Sequence, residues 1–363
     1  MQPRVIMLAD LDYFFAQCEE KRNPDIKSKP VVVCVYSGRT EGSGAVSTAN
    51  YIARRYGVKS GMPIFLAKKK LENTNAIFLP VDHEFYEAIS NRIMLILKGH
   101  ADRFEQVGID EAYLDVSQKV NGQFETAKQL AQEIKNSVKA QEGITCTIGI
   151  GPNKLVAKIA SDNEKPDGIT LVKPQQVESF LSPLPVNRLI GIGNRTNERM
   201  NEAGIKTIGE LARFDAVRLS EIFGQSLGDY FHNASLGVDN ENVQERGEAD
   251  SISRIATLKQ NTRELQTILA KTEELCKDIH FILMQRKAAF RSVAIIAIMT
   301  NLTVRTRSKK LDAPTNELET LKANVTELFE KFLADSELEI RRVGVKVSGF
   351  EGWKNQKTLM EYG

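Results

Sequence analysis

The chain has 363 residues, of which 42% are hydrophobic and 26% charged; that excludes global disorder and points to about two to four domains. Lys plus Arg number 49 against 47 Asp plus Glu, a formal charge of +2. So small a net charge excludes a histone-like polycation but not nucleic-acid binding, which depends on where the charge sits.

Val5 to Ala9 is a short apolar run ended by acidic residues and is predicted to be a buried strand. A helix is expected over Asp12 to Lys21, a second strand over Val31 to Val35, a Gly- and Ser-rich turn over Ser37 to Gly44, and helix again near Thr48 to Tyr56. From Glu84 to Lys98, Phe85, Ile89, Ile93 and Ile96 share a helical face. Strands are predicted at Phe104 to Ile109 and Ala112 to Val116, with Asp110-Glu111 in the link, then a helix over Phe124 to Ala140 and a strand over Ile144 to Ile150. Without the insertion between Leu11 and about Leu79, the order is β-α-β-β-α-β, the ferredoxin-like arrangement with helices on one face of a sheet. Lys173 to Leu236 reads as short helices with glycine turns, and Asn233 to Asp250 as a polar linker. Beyond it the order β-α-β-β-α-β returns without a sequence repeat, which predicts a second domain of the same topology.

Cys18, Cys34, Cys146 and Cys276 form no CxxC pair and no Cys/His cluster. That excludes a disulfide framework and a zinc site and suits a reducing interior. No signal peptide is visible, and the longest strongly apolar run, Val293 to Met299, is far below the roughly 20 residues of a membrane span. A soluble, cytoplasmic protein without a membrane partner is expected.

Asp10 ends the first strand, and Asp110-Glu111 lie between two strands that are its neighbours in a ferredoxin-like sheet. The three carboxylates can therefore converge at one edge, where cations must offset their repulsion. Hard oxygen ligands on rigid strands suit Mg²⁺, and two such ions about 4 Å apart can activate a hydroxyl and stabilise a leaving pyrophosphate. Taken alone, an Asp after a strand also serves as a turn or cap residue, and an Asp-Glu pair as solvated surface. Asp12 and Asp115 have only capping or turn roles to claim.

Four runs then belong together: Asp10-Leu11-Asp12-Tyr13-Phe14-Phe15-Ala16-Gln17, Pro30-Val31-Val32-Val33-Cys34-Val35, Thr48-Ala49-Asn50-Tyr51 with Ala53-Arg54, and Ile109-Asp110-Glu111-Ala112-Tyr113-Leu114-Asp115. Over about residues 5–349 the chain resembles the Y-family translesion DNA polymerases, most nearly the archaeal DNA polymerase IV branch. The resemblance implies an α+β right-hand polymerase, with a ferredoxin-like palm (1–11 and 79–168), small fingers (12–78) and a helical thumb with a helix-hairpin-helix (169–234). A linker (235–249), a C-terminal βαββαβ little finger that binds DNA (250–350) and a flexible tail (351–363) complete it. It makes Asp10, Asp110 and Glu111 the catalytic, metal-binding carboxylates, with the Leu11 main-chain oxygen as a further ligand of two Mg²⁺ ions, for which Mn²⁺ or Ca²⁺ can substitute. Gly108 stands where close relatives often have Ser.

Thr48, Tyr51 and Arg54 are spaced to share one helical face, and Lys165 follows a helix. The resemblance makes these four the triphosphate contacts, with Tyr13, Phe14 and Phe15 also at the nucleotide. Phe15 matches the steric gate that excludes a 2′-hydroxyl, against the plainer reading of core packing. Val35, Ala45 and Ser47 match the small residues that roof the nascent base pair, implying low fidelity and lesion bypass. No acidic motif for a proofreading exonuclease is seen. Gly191 and Gly193, in Leu189 to Gly193, look like a helix-hairpin-helix turn that meets a phosphate, although a simple interhelical turn has the same sequence.

Arg305, Arg307 and Lys309 alternate along one predicted strand, and Arg342 and Lys346, beside Arg341, lie along another. Two basic strands in one sheet suggest a platform for DNA phosphates. Residues 246–350 carry 18 Lys plus Arg against 14 Asp plus Glu, so the basic charge is segregated there. Gln356, Leu359 and Tyr362 resemble a partial sliding-clamp box, with an inert tail the equal alternative. The expected partners are primer-template DNA and dNTP, acting on a monomer. The competing classes are a nucleotide cyclase, which needs no duplex grip, and a non-catalytic DNA-binding scaffold, which needs none of the intact carboxylates.

Overall fold

The computed structural model describes residues 2–40, 42–245, 247 and 250–352; Gln356, Leu359 and Tyr362 lie outside them. The chain divides into two compact units, residues 1–35, 46–62 and 66–246 in one and 36–45, 63–65 and 247–363 in the other.

In chain order the elements begin with β1 (Ile6–Leu11), α1 (Phe14–Arg22), β2 (Val31–Tyr36), β3 (Gly44–Ala49), α2 (Tyr51–Arg55), α3 (Ile64–Lys70) and β4 (Ile77–Pro80). They continue with α4 (His83–Gly99), β5 (Arg103–Gln106), β6 (Glu111–Asp115), α5 (Phe124–Glu142), β7 (Cys146–Gly151), α6 (Lys154–Ser161) and β8 (Ile169–Leu171). The main sheet has the order β5-β6-β1-β7-β8, and β1 pairs antiparallel with both β6 and β7. All six residues of β1 are buried. Met7, Ala9 and Leu11 pack into the core with residues of α4 and α5, whereas Ile6 and Leu8 meet Tyr113 and Ala157 on the opposite side. The expectation of helices on one face is thus corrected: α6 covers the other, which is why β1 reads as a continuous apolar run. Gly149 makes that possible, since a Cβ there would stand 2.1 Å from the Ala157 carbonyl oxygen and 2.2 Å from the Ser161 nitrogen.

The insertion holds a sheet of order β3-β2-β4. Here the prediction of helix from Thr48 is corrected, because Thr48 lies in β3, which ends at Ala49, and the helix begins at Tyr51. Asn50 sets that boundary. Its Oδ1 accepts from the Ala53 and Val31 nitrogens at 2.9 and 3.1 Å, and its Nδ2 donates to Glu20 and to the Lys29 carbonyl, each at 2.8 Å. The side chain is 2% exposed, so Asn50→Ala removes a cap and strands buried partners. A loss of about 2–3 kcal/mol in denaturant unfolding is expected; a change under about 0.5 kcal/mol would show that another group sets the boundary.

A helical region follows, with α7 (Val177–Leu181), α8 (Asn194–Glu202), α9 (Ile208–Arg213), α10 (Ala216–Phe223) and α11 (Gln225–Ser235) around a core shared with Leu155, Val156, Ile159 and Ala160 of α6. The acidic stretch after α11 reads as a solvated linker, but part of it is strapped down. Asp239 Oδ2 accepts from the Leu155 nitrogen at 3.0 Å, Glu241 pairs with Lys154 at 3.1 Å, and Val243 is fully buried beside Ile6 and Leu8. Asp239 and Glu241 thus serve as partners for the start of α6, Glu241 while its side chain stays exposed.

The second unit contains β9 (Ser251–Thr262), α12 (Leu265–Arg286), β10 (Ala289–Met299), β11 (Val304–Thr315), α13 (Leu318–Ala334) and β12 (Ile340–Glu351). Its βαββαβ chain order agrees with the prediction, but its sheet order is β11-β10-β12-β9. In the first sheet the second strand of the internal hairpin, β6, joins the sheet through β1; in the second, the first strand, β10, joins through β12. The expectation of one shared topology is corrected accordingly. All four cysteines are buried. Among the described residues no helix is long and apolar enough to cross a membrane.

Candidate active site and nucleic-acid interface

Asp10 lies directly opposite Glu111 in the β1–β6 register, and the Leu11 nitrogen donates to the Asp110 carbonyl oxygen at 2.8 Å. Backbone pairing therefore brings the three carboxylate residues to one sheet end. Burial raises the Asp110 pKa, and the charges of Asp10 and Glu111 raise it further. Two ammonium groups balance the cluster. Lys158 of α6 reaches Asp10 Oδ2 at 3.3 Å and Glu111 Oε2 at 2.5 Å, and Lys165 reaches Asp10 Oδ1 at 2.7 Å and Asp162 at 3.1 Å. Burial opposes the charge on Lys158, yet Asp10 and Glu111 outweigh it and raise its pKa above the ordinary lysine value.

Among the described residues no group of three acidic, imidazole or thiol side chains closes into a ready-made metal cage. The donor set nevertheless fits a hard divalent ion, because it offers carboxylates on rigid strand ends beside an open cleft, and such an ion takes the rest of its shell from waters and phosphates. A Cβ on Gly108 would stand 3.2 Å from Glu111 Cγ and 3.3 Å from Asp110 Oδ1. Glycine there leaves the two side chains room to adjust.

Asp12 does more than terminate a strand. Fully buried, it accepts from the hydroxyls of Thr145 and Thr147 at 2.9 and 2.7 Å and from the Asp167 nitrogen at 2.9 Å, clasping β1 to β7 and to the loop beyond Lys165. Asp115 accepts from the nitrogen and hydroxyl of Ser117, a turn role.

Around the carboxylates, Tyr13 and Tyr51 meet edge to face at 5.3 Å, and the Arg54 guanidinium lies 4.8 Å from the Tyr51 ring centre. Arg54 Nε also donates to the Ala49 carbonyl at 2.9 Å, which fixes its stem. The Tyr51 hydroxyl is buried with no hydrogen-bond partner among the described residues; such an orphan is costly unless a ligand meets it. Thr48 is half-buried near the end of β3. Phe15 is half-buried and stacks on Tyr86 with centroids 4.4 Å apart, so one ring face is held by the core. Phe14 differs, being 2% exposed within that core, and only its main chain is available to a nucleotide. Val35 is exposed, and Ala45 and Ser47 are half-buried.

Gly191 adopts φ +86°, left-handed backbone that favours glycine, and Gly193 caps α8. In the second unit the cations separate. Arg305, Arg307 and Lys309 lie opposite Ala297, Ile295 and Val293, which are all buried, so they share the helix-covered face of the sheet. Arg307 pairs with Asp335 at 2.5 Å and Lys309 with Glu327 of α13 at 2.6 Å. Arg342 and Lys346 lie opposite Ile298 and Ala294 on the other, uncovered face. The picture of one platform from both strands is corrected, since period two assigns a shared face within each strand but not between them. Arg341 sits beside an irregularity in the β10–β12 register.

A mostly antiparallel sheet with carboxylates at one strand end, followed by a helical region and a second sheet domain, defines the right-hand polymerase class. Models of the impB/mucB/samB family and of its C-terminal domain match residues 9–162 and 249–359, and a model of the DNA polymerase-iota thumb domain matches residues 187–239. The chain is 45% identical to DNA polymerase IV of Nitrosopumilus maritimus over all of both chains. It is 39% identical to DNA polymerase IV of Saccharolobus solfataricus, covering 94% of this chain and 95% of that one. A Y-family DNA polymerase chimera of Dbh and Dpo4 matches with a TM-score of 0.89 at 38% identity, over 95% of this chain and 98% of that chain. An insertion ternary complex of Dbh DNA polymerase matches at 0.69 with the same identity and coverage. The chain belongs to the Y family of translesion DNA polymerases, in the archaeal DNA polymerase IV group, whose members use divalent metal ions.

Lys158 is the site residue that sequence reasoning missed. A signal was present, for it is the one charge inside the otherwise apolar run Leu155 to Ala160, which marks a helix buried along one side.

Proposed function

We propose that this DNA polymerase joins a dNTP to a primer 3′-hydroxyl at the Asp10, Asp110 and Glu111 site. The hydroxyl oxygen gives up its proton to solvent water and bonds to the α-phosphorus, while the bond from that phosphorus to the α,β-bridging oxygen breaks, releasing pyrophosphate. The observation that carries the reading is the register that sets Asp10 against Glu111, with Asp110 tied to Leu11. The three carboxylates and the Leu11 carbonyl are the proposed ligands of two Mg²⁺ ions, which when bound make the hydroxyl a better nucleophile and offset charge on the leaving group.

Thr48, Tyr51, Arg54 and Lys165 hold the triphosphate, a role the partnerless Tyr51 hydroxyl supports. Tyr13 and the Phe14 main chain pack beside it, and Phe15 closes the space beneath the sugar. The small side chains of Val35, Ala45 and Ser47 press weakly on the nascent base pair, so misshapen pairs are tolerated. Primer extension on an abasic template with Mg²⁺ tests this reading. Insertion opposite the lesion and extension past it are expected, and arrest one nucleotide before it would contradict the reading.

The duplex is proposed to meet the Gly191–Gly193 turn and the uncovered face of the second sheet, since α12 and α13 occupy the other face. Arg342→Ala or Lys346→Ala should then lower DNA affinity and reduce the slope of log K against log salt by about 0.9 each. Arg307→Ala and Lys309→Ala, whose cations are engaged with Asp335 and Glu327, should change the slope less. Equal slopes in both pairs, measured by fluorescence anisotropy, would contradict the assignment of the face. Monomeric action in the cytoplasm belongs to the same reading.

A further inference from the structure

Lys158 holds two of the carboxylates assigned above to metal binding. Its ammonium contacts Asp10 Oδ2 and Glu111 Oε2, while Lys165 takes Asp10 Oδ1. The Lys158 side chain is only 25% exposed, and its helix has little freedom to withdraw. Asn153 caps α6 through the Val156 nitrogen at 2.9 Å, Asp239 accepts from the Leu155 nitrogen, and Gly149 admits the helix to backbone contact with β7. The charge can leave the carboxylates only by rotation of the lysine side chain. A cleft of about 630 Å³ lined by Glu111, Lys158, Tyr113 and Tyr230 gives it room. An ammonium and a divalent cation cannot share the same carboxylate oxygens without strong repulsion at this spacing.

We propose that Lys158 is a resident counter-cation of the carboxylate site, which competes with the divalent ion for Asp10 and Glu111 and must swing away before the ion binds. Lys158 then sets the metal requirement of the enzyme. It is a positioning residue, since it acts through the carboxylates. The inference rests on the reading of Asp10, Asp110 and Glu111 as metal ligands.

Mn²⁺ binding to the full chain without nucleotide or DNA, followed by the electron paramagnetic resonance signal of free Mn²⁺ at fixed pH, tests it. Lys158→Met should bind Mn²⁺ about tenfold or more tightly than wild type. Lys158→Arg, which keeps the charge, should stay at the wild-type affinity, and Asp10→Asn should abolish the gain in the double variant. Lys158→Gln serves as a second neutral replacement should the Met variant fold poorly by circular dichroism. Wild-type affinity in the neutral variants, with Asp10→Asn still weakening binding, would overturn the inference and leave the metal site standing. Equal tightening by Arg and Met would overturn it as well, because charge would not be the cause. Binding indifferent to Asp10→Asn would remove the metal-site reading and the inference together.

Discussion

Asp110→Asn slows primer extension by a factor on the order of 10³ or more, while DNA affinity stays within about twofold of wild type. The substitution keeps the shape of a side chain placed by the β5–β6 link and removes one negative charge from a cluster of three. Burial raises the Asp110 pKa, and the charges of its neighbours raise it further. Burial and the neighbouring carboxylates make a negative charge costly there, and a bound cation would offset that cost. Single-turnover extension with saturating dNTP and Mg²⁺ reads the chemical step, and equilibrium binding of the same duplex checks that the grip is intact. A variant that extended at the wild-type rate would remove Asp110 from the reaction.

Phe15→Ala raises the use of ribonucleotides relative to deoxyribonucleotides by at least about a hundredfold. The ring cannot yield, because Tyr86 stacks beneath it at 4.4 Å and His83 meets it edge-on at 6.0 Å. Tyr86 is itself fully buried, with its hydroxyl donating to Glu19 at 2.7 Å. Removing the ring opens the floor beneath the sugar without disturbing that support, so kcat/KM for rNTPs should rise while dNTP incorporation falls less. Unchanged sugar selection would return Phe15 to a packing role. Phe14, buried within the core, is the internal comparison: its truncation should cost stability, not sugar choice.

Much of this site was legible because strands carry their side chains at fixed spacing. An acidic residue ending an apolar run and an Asp-Glu pair between two strands are enough to place three carboxylates together once β1 and β6 are neighbours. Thr48 was misplaced because a Thr-Tyr-Arg spacing of three fits a helix as well as a strand end, and only Asn50, through four hydrogen bonds, decides between them. The covering of the sheet by α6 depends on Gly149 in contact with a distant helix, which local periodicity does not report. Chain order left open which hairpin strand joins the second sheet. That choice, with the alternation along β11, turns Arg307 and Lys309 toward α13. The strap at Asp239 to Val243 was hidden for a related reason, since composition records that residues are acidic but not that a helix start and a lysine await them.

The most direct measurement of the central claim is anomalous scattering from a Mn²⁺-soaked crystal of the enzyme with primer-template and dNTP. The expected result is two peaks about 4 Å apart, within coordinating reach of Asp10, Asp110, Glu111 and the Leu11 carbonyl. Peaks elsewhere, or none in contact with Asp110, would contradict the account.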